Sequence, residues 1–297
     1  MSIGFIGIGT MGKPMVRNLI DAGHDMVLHD TNPATYNDFN FDAVTIAQSP
    51  AEVAASTDVI FTSLPGPSEL ESVTLGKGGI IEGINPETVQ VDTSTVSPST
   101  IEKISKEFSK INAHLIDAPV SGGPIGAESG KLAIMVGGDI AVFDKVKPIL
   151  EILGSSITRV GPTGSGTVAK LVHNGISMST RIAVQEGMIL AVKYGIHPTD
   201  ILNVLTHGSF GQQTLLKSHI PDLVFKDDFD NPRFSLALSE KDVSLALAFA
   251  EEMGLEFGMA ERALSRIREG VDKGLGAKDN LVTYKVAEEK AGVKIRG

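Results

Sequence analysis

The chain has 297 residues, 42% of them hydrophobic and 21% charged, a composition that describes a globular protein with room for two domains. Its formal net charge of −10 speaks against nucleic acid, which needs a basic face, and no run approaches the ~18 apolar residues of a membrane span. Cysteine is absent, so there is no disulfide framework, thiol nucleophile or thiolate metal site; with a first strand that starts almost at Met1, this points to a cytoplasmic protein.

Ile3-Gly4-Phe5-Ile6-Gly7-Ile8 reads as a buried strand that enters Gly7-x-Gly9-x-x-Gly12. An apolar stripe at helical spacing (Met15, Val16, Leu19, Ile20) runs on to Gly23, and Met26-Val27-Leu28 forms a second strand ending at Asp30. Strand, glycine turn, helix and strand-end acid together make a dinucleotide-binding fingerprint. The glycines allow the tight turn, the backbone approach to a pyrophosphate and the helix–strand contact; the helix N-terminus favours the phosphates. Asp30, 18 residues past Gly12, stands where an acid holds the ribose 2′-hydroxyl of NAD. Asp30-Thr31-Asn32 offers no arginine for a 2′-phosphate, so the spacing predicts NAD rather than NADP.

Beyond Asp30, strands and helices alternate as in a doubly wound parallel sheet. Val59–Phe61 leads into Ser63-Leu64-Pro65-Gly66, and Val89–Asp92 into Thr93-Ser94-Thr95 before a helix from Pro98. Leu115–Asp117 leads into Ala118-Pro119-Val120-Ser121-Gly122-Gly123, Leu132–Val136 into Gly137-Gly138, and Ile157–Val160 closes the series. After Gly161-Pro162-Thr163-Gly164 the period turns helical, over about 165–194, 198–206, 238–254, 257–274 and 277–291. The chain therefore reads as a Rossmann-type α/β domain over 1–162 and an all-helical domain over 163–297. The first stretch holds 10 basic against 19 acidic residues and the second 16 against 17, so the second is richer in groups that would hold an anion.

Ser121-Gly122-Gly123 places a hydroxyl beside successive N–H groups, a nest for a carboxylate or phosphate that also suits an ordinary turn. Lys170 and Asn174 are four apart and project from one helix face, where an ammonium could serve as acid/base and an amide as positioner; a solvated helix lysine has the same spacing. Glu240-Lys241-Asp242 opens another helix, with Asp242 suited to the dipole. His173 reads as a helix residue beside this face, and Asp227-Asp228 with Asp230 as a solvated cluster rather than a metal site.

Taken together, these segments resemble the β-hydroxyacid dehydrogenase family, which includes 3-hydroxyisobutyrate dehydrogenase and tartronate semialdehyde reductase. The resemblance spans nearly the whole chain. It rests on Phe5-Ile6-Gly7-Ile8-Gly9-Thr10-Met11-Gly12 with Asn18-Leu19, on Asp117 through Gly123 continuing to Met135-Val136-Gly137-Gly138, on Gly164-x-Gly166-x-x-x-Lys170-x-x-x-Asn174, and on Lys241-Asp242. It implies Lys170 as catalytic acid/base with Asn174 fixing the substrate, and Ser121, Gly122 and Gly123 as carboxylate ligands. It further implies Gly7, Gly9, Thr10, Met11, Gly12, Asp30, Leu64, Pro65, Thr95 and Lys241 as cofactor contacts. The expected reaction interconverts a small 3-hydroxy carboxylic acid and its semialdehyde with NAD(H), in a homodimer or homotetramer. A free lysine, at about 10.4, is a poor base at neutral pH, so that role requires burial or a neighbouring cation to lower it. His207-Gly208-Ser209-Phe210-Gly211-Gln212-Gln213 and Gly274 through Asp279 with Tyr284 lean toward the tartronate semialdehyde reductases. The helix Lys170 through Ile176 also resembles that of 6-phosphogluconate dehydrogenase, and a scaffold without activity is the third alternative.

Overall fold

The structure, a computed structural model, describes residues 1–39, 43–208, 214–254 and 256–296. The chain divides into two compact units, Met1–Leu171 and Val172–Gly297. In the first, strands and helices follow as β1 (Ile3–Ile6), α1 (Gly12–Asp21), β2 (Met26–His29), β3 (Val44–Ile46), α2 (Pro50–Ser56), β4 (Val59–Thr62), α3 (Pro67–Leu75) and α4 (Ile80–Gly83). They continue as β5 (Val89–Asp92), α5 (Pro98–Ser109), β6 (His114–Asp117), β7 (Val120–Ser121), α6 (Gly123–Glu128), β8 (Leu132–Gly137), α7 (Ile140–Leu153) and β9 (Gly154–Gly161).

The sheet order is β3-β2-β1-β4-β5-β6-β8-β7, with β9 pairing β8. β1 to β6 are mutually parallel, and all four residues of β1, β4 and β5 are buried, because helices cover both faces. The two-residue period sends Ile3, Phe5, Val59, Phe61, Val89 and Val91 to one core and Ile6 and Ile60 to the other. Phe5 and Phe61, register partners, stack at 5.8 Å between ring centroids. The sheet departs from the expected all-parallel pattern at β8, which runs antiparallel to β6 and β7. The connection from β6 spends its length on β7 and the short helix α6, so β8 returns beside them as a hairpin instead of crossing over.

The long helix α8 (Ser165–Tyr194) carries the division between the units. The second unit continues with α9 (Pro198–His207), a wide π-type helix at Leu215–Val224, α10 (Leu236–Glu252), α11 (Gly258–Asp272), a 3-10 turn at Asn280–Val282 and α12 (Thr283–Ala291). Its core gathers Met178, Met188, Ile220, Leu236, Val243, Ile267 and Tyr284, with Ile295 buried by the terminal segment. Glu288 holds that segment by accepting from the Ile295 N–H and the Arg296 guanidinium, both at 2.6 Å. Among the described residues, no helix is long and apolar enough to cross a membrane.

Candidate active site

The loop between β1 and α1 is built by close backbone contacts. Gly7 has φ +91°, and a side chain there would strike the Ser63 carbonyl oxygen at 2.3 Å. A Cβ at Gly12 would lie 2.0 Å from the Gly7 carbonyl oxygen, while one at Gly9 would meet nothing within 4 Å. Thr10 is exposed, and Met11 opens α1 without any side-chain cap, so the helix end presents backbone N–H groups. Asp30 closes the loop: its Oδ2 accepts from the Ile8 N–H at 2.6 Å and its Oδ1 from the Asn32 N–H at 2.8 Å. The Tyr36 hydroxyl donates to the Asp30 carbonyl at 2.9 Å and accepts from its N–H, and burial raises the Tyr36 pKa. Open space at Gly9, an uncapped helix end and a carboxylate at the end of β2 fit a dinucleotide's pyrophosphate and ribose.

The loops after β4 and β5 join this floor. The Leu64 N–H donates to the Ser94 hydroxyl at 2.9 Å, and that hydroxyl donates to Asp92 Oδ1 at 2.7 Å. The same oxygen accepts from Thr62 Oγ1 at 2.7 Å, while Oδ2 is buried without a partner. Desolvation pushes the Asp92 carboxyl up to about 6 despite these bonds, and Asp117 on the next strand adds to the rise. Leu64 and Thr95 are half-buried on these loops and Pro65 is exposed.

The remaining expected residues of this unit gather at β6, β7 and β8. Ser121 ends β7 and pairs with Ala133, and Gly122 and Gly123 follow with φ +133° and +61°. Asp117, the first residue of that motif, turns instead to the start of α8, where it accepts from the Gly164 and Thr167 N–H groups, each at 2.7 Å. It thus caps the helix, and its burial raises its pKa. The helix start also presses on the sheet: a Cβ at Gly166 would come within 2.4 Å of the Met135 carbonyl oxygen and 2.7 Å of the Gly137 nitrogen. Lys170, 9% exposed, follows one turn later.

In the second unit, Asn174 Nδ2 donates to Asp242 Oδ2 at 2.6 Å, and Lys241 Nζ lies 3.0 Å from Asp242 Oδ1. Asp242, 2% exposed, therefore anchors both residues that the sequence had singled out, and His173 Nδ1 sits 3.0 Å from Asn174 Oδ1. Asp227 pairs with Lys285 and Arg296. Residues 209–213 of the segment that bears on substrate choice lie outside the described residues. Sequence reading missed Asp92 and Ser94, the anchoring role of Asp242 and the capping role of Asp117, since nothing in their spacing announces partners tens of positions away.

A Rossmann sheet with this loop, followed by a helix carrying lysine and asparagine one turn apart, defines a nicotinamide-dinucleotide oxidoreductase. Residues 2–161 match the sequence model of the NAD-binding domain of 6-phosphogluconate dehydrogenase, and residues 164–287 that described as NAD-binding of NADP-dependent 3-hydroxyisobutyrate dehydrogenase. The chain is 35% identical over 297 residues to 2-(hydroxymethyl)glutarate dehydrogenase of Eubacterium barkeri, covering 100% of this chain and 98% of that one. It is 36% identical over 255 residues to 2-hydroxy-3-oxopropionate reductase of Escherichia coli, with 86% of each chain covered. Among solved structures, Mycobacterium tuberculosis 3-hydroxyisobutyrate dehydrogenase with L-serine superposes with a TM-score of 0.86 at 28% identity, covering 96% of this chain and 98% of that one. The chain belongs to the β-hydroxyacid dehydrogenase family and is an NAD-binding oxidoreductase.

Proposed function

We propose that the protein interconverts a small 3-hydroxy carboxylate and its semialdehyde, of the glycerate/tartronate semialdehyde or 3-hydroxyisobutyrate type, with Lys170 as general acid/base. The observation that carries this reading is the fixed start of α8: the Asp117 cap and the Gly166 contact tie the first turn of the helix, just ahead of the buried Lys170, to the ends of β6 and β8. In oxidation Lys170 Nζ takes the hydroxyl proton, and in reduction it returns it to the carbonyl oxygen. Ser121 Oγ and the N–H groups of Gly122 and Gly123 take the carboxylate. Asn174, oriented by Asp242, directs its amide at the substrate hydroxyl, and Lys241 serves the cofactor. A bound nicotinamide dinucleotide supplies the hydride acceptor or donor, and the protein supplies orientation and charge. Gly7, Gly9, Thr10, Met11 and Gly12 with Leu64, Pro65 and Thr95 form its cradle, and Asp30 favours NAD over NADP by repelling a 2′-phosphate.

The substrates in the relatives' names share one feature, an oxygen on the carbon β to a carboxylate, and this supports the class. Residues 1–162 then act as the nucleotide-binding domain and 163–297 as the helical substrate and oligomerisation domain. We place the enzyme in the cytoplasm as a homodimer or homotetramer; exposed Val172 and Ile176 on α8 support self-association, which light scattering tests. The function itself is tested by following reduced-nicotinamide absorbance with tartronate, methylmalonate, malonate and succinic semialdehydes, each with NADH and NADPH. Turnover is expected with the 3-oxo acids and NADH, and Lys170→Ala should lose roughly 10²–10⁴-fold in kcat with NADH affinity kept. A fully active Lys170→Ala would remove that lysine from its role; silence across the panel would overturn the substrate class.

A further inference from the structure

The hydrogen bonds around Asp92 raise a question that the proposed chemistry leaves open. Asp92 is 0% exposed, at the end of β5, and its Oδ1 accepts from Thr62 Oγ1, Ser94 Oγ and, at 3.3 Å, the Ser94 N–H. Oδ2 accepts nothing. Burial lifts this carboxyl to about 6, so at neutral pH the fold carries a charge that a neutral asparagine would not impose. A structural role for the three donors would be met by an amide oxygen. What the charge adds is strength, because hydrogen bonds to an ionised acceptor are roughly twice as strong as neutral ones. The bond from Ser94 is the one that matters beyond the strand end, since Ser94 in turn holds the Leu64 N–H. Leu64 packs against the glycine loop, where a Cβ on Gly7 would touch the Leu64 Cδ2 at 3.0 Å and the Ser63 oxygen at 2.3 Å. A chain of contacts thus runs from Asp92 through Ser94 and Leu64 to Gly7, joining three cofactor-facing loops.

We propose that Asp92 is a positioning residue of the cofactor site, acting through the Ser94 hydroxyl to fix the loop that carries Leu64 and Pro65 against the glycine loop. The inference rests on the reading of these loops as the nicotinamide-dinucleotide cradle. Binding strength comes from loops ordered before the ligand arrives, so weakening the Ser94 bond raises the ordering cost of binding. Stability and affinity should then move in opposite directions on removing the charge, a pattern that a merely structural residue does not give.

The test uses the full chain, with NADH binding measured by calorimetry or by the nucleotide's own emission, since the protein has no tryptophan. Asp92→Ala and Ser94→Ala should each raise the NADH Kd about tenfold, and the double variant no further, because both break one chain of contacts. Asp92→Asn should raise it about two- to fivefold while melting no lower than the parent at pH 7.5. Amide exchange at Leu64 in the ligand-free protein should quicken in Asp92→Ala and Ser94→Ala, a readout that needs neither cofactor nor turnover. Unchanged Kd in Asp92→Asn and Ser94→Ala, or additive effects in the double variant, would overturn the inference while leaving the proposed function intact. A parent protein that bound no nicotinamide nucleotide would overturn both.

Discussion

A Cβ at Gly12 would stand 2.0 Å from the Gly7 carbonyl oxygen, whereas one at Gly9 would meet no atom within 4 Å. Two glycines of one motif therefore answer to different demands, the first to the fold and the second to the ligand. Gly12→Ala forces backbone apart and should lower the melting temperature by several degrees, as a destabilisation of about 1–3 kcal/mol does. Gly9→Ala should melt within about a degree of the parent and yet weaken NADH binding about tenfold or more, because the methyl fills space that a pyrophosphate needs. Scanning calorimetry with a binding titration on both variants separates the two; a Gly9→Ala that binds normally would move the phosphates elsewhere. The motif was legible because glycine spacing is written locally. The Ile8–Asp30 bond and the Tyr36 hydroxyl that brackets Asp30 were not, since they join positions 22 and 6 residues apart through side-chain orientation.

At the scale of elements, the start of α8 shows how a motif spacing acquires its physical content. Gly164-x-Gly166 announces a helix N-terminus, but the acid that caps it, Asp117, comes from a strand 47 and 50 positions earlier. Asp117→Asn keeps one acceptor and turns an NH₂ group toward a backbone donor, so one buried N–H loses its partner. The expected cost is about 1–3 kcal/mol, together with a fall in kcat larger than any change in NADH Kd, because Lys170 follows directly on that first turn. Denaturant unfolding alongside steady-state rates checks this, and equal losses in kcat and cofactor affinity would count against it. Strands with continuous apolar runs and helices with clear 3.6-residue stripes were readable, whereas the short β3, α2 and β7 were not singled out. The π-type helix Leu215–Val224 was not readable either, since Leu215 stands five residues before the buried Ile220, Leu223 and Val224 and Pro221 reads as a breaker. The turn of β8 against β6 was likewise hidden, because an apolar strand carries no mark of its direction.

For the molecule as a whole, a buried group and a half-buried one oppose each other in pH. Asp92 titrates at about 6 in the folded protein against 3.8 when unfolded, and Asp117, its register partner on β6, is raised as well. Between about pH 4 and 6 the folded state therefore binds more protons, and stability falls as pH rises through that window. His219 in the helical unit is lowered to about 4 from 6.5, first by burial and then by the Arg181 and Arg233 charges, with Asp279 and Asp222 partly offsetting them. Its contribution is whole above about 6.5 and is lost as pH falls toward 4, so it runs against that of Asp92 and flattens the profile of the parent. Asp92→Asn removes one side of this balance. At pH 7.5 it should be more stable than the parent by on the order of 2–4 kcal/mol, the free energy of a shift of about two pKa units, and the gap should close by about pH 4. Calorimetric melts at pH 7.5, 6 and 4.5 measure it directly. A gap that stayed constant across that range would mean that the Asp92 carboxyl is not desolvated in solution, and the tension between charge and burial on which its positioning role depends would vanish with it.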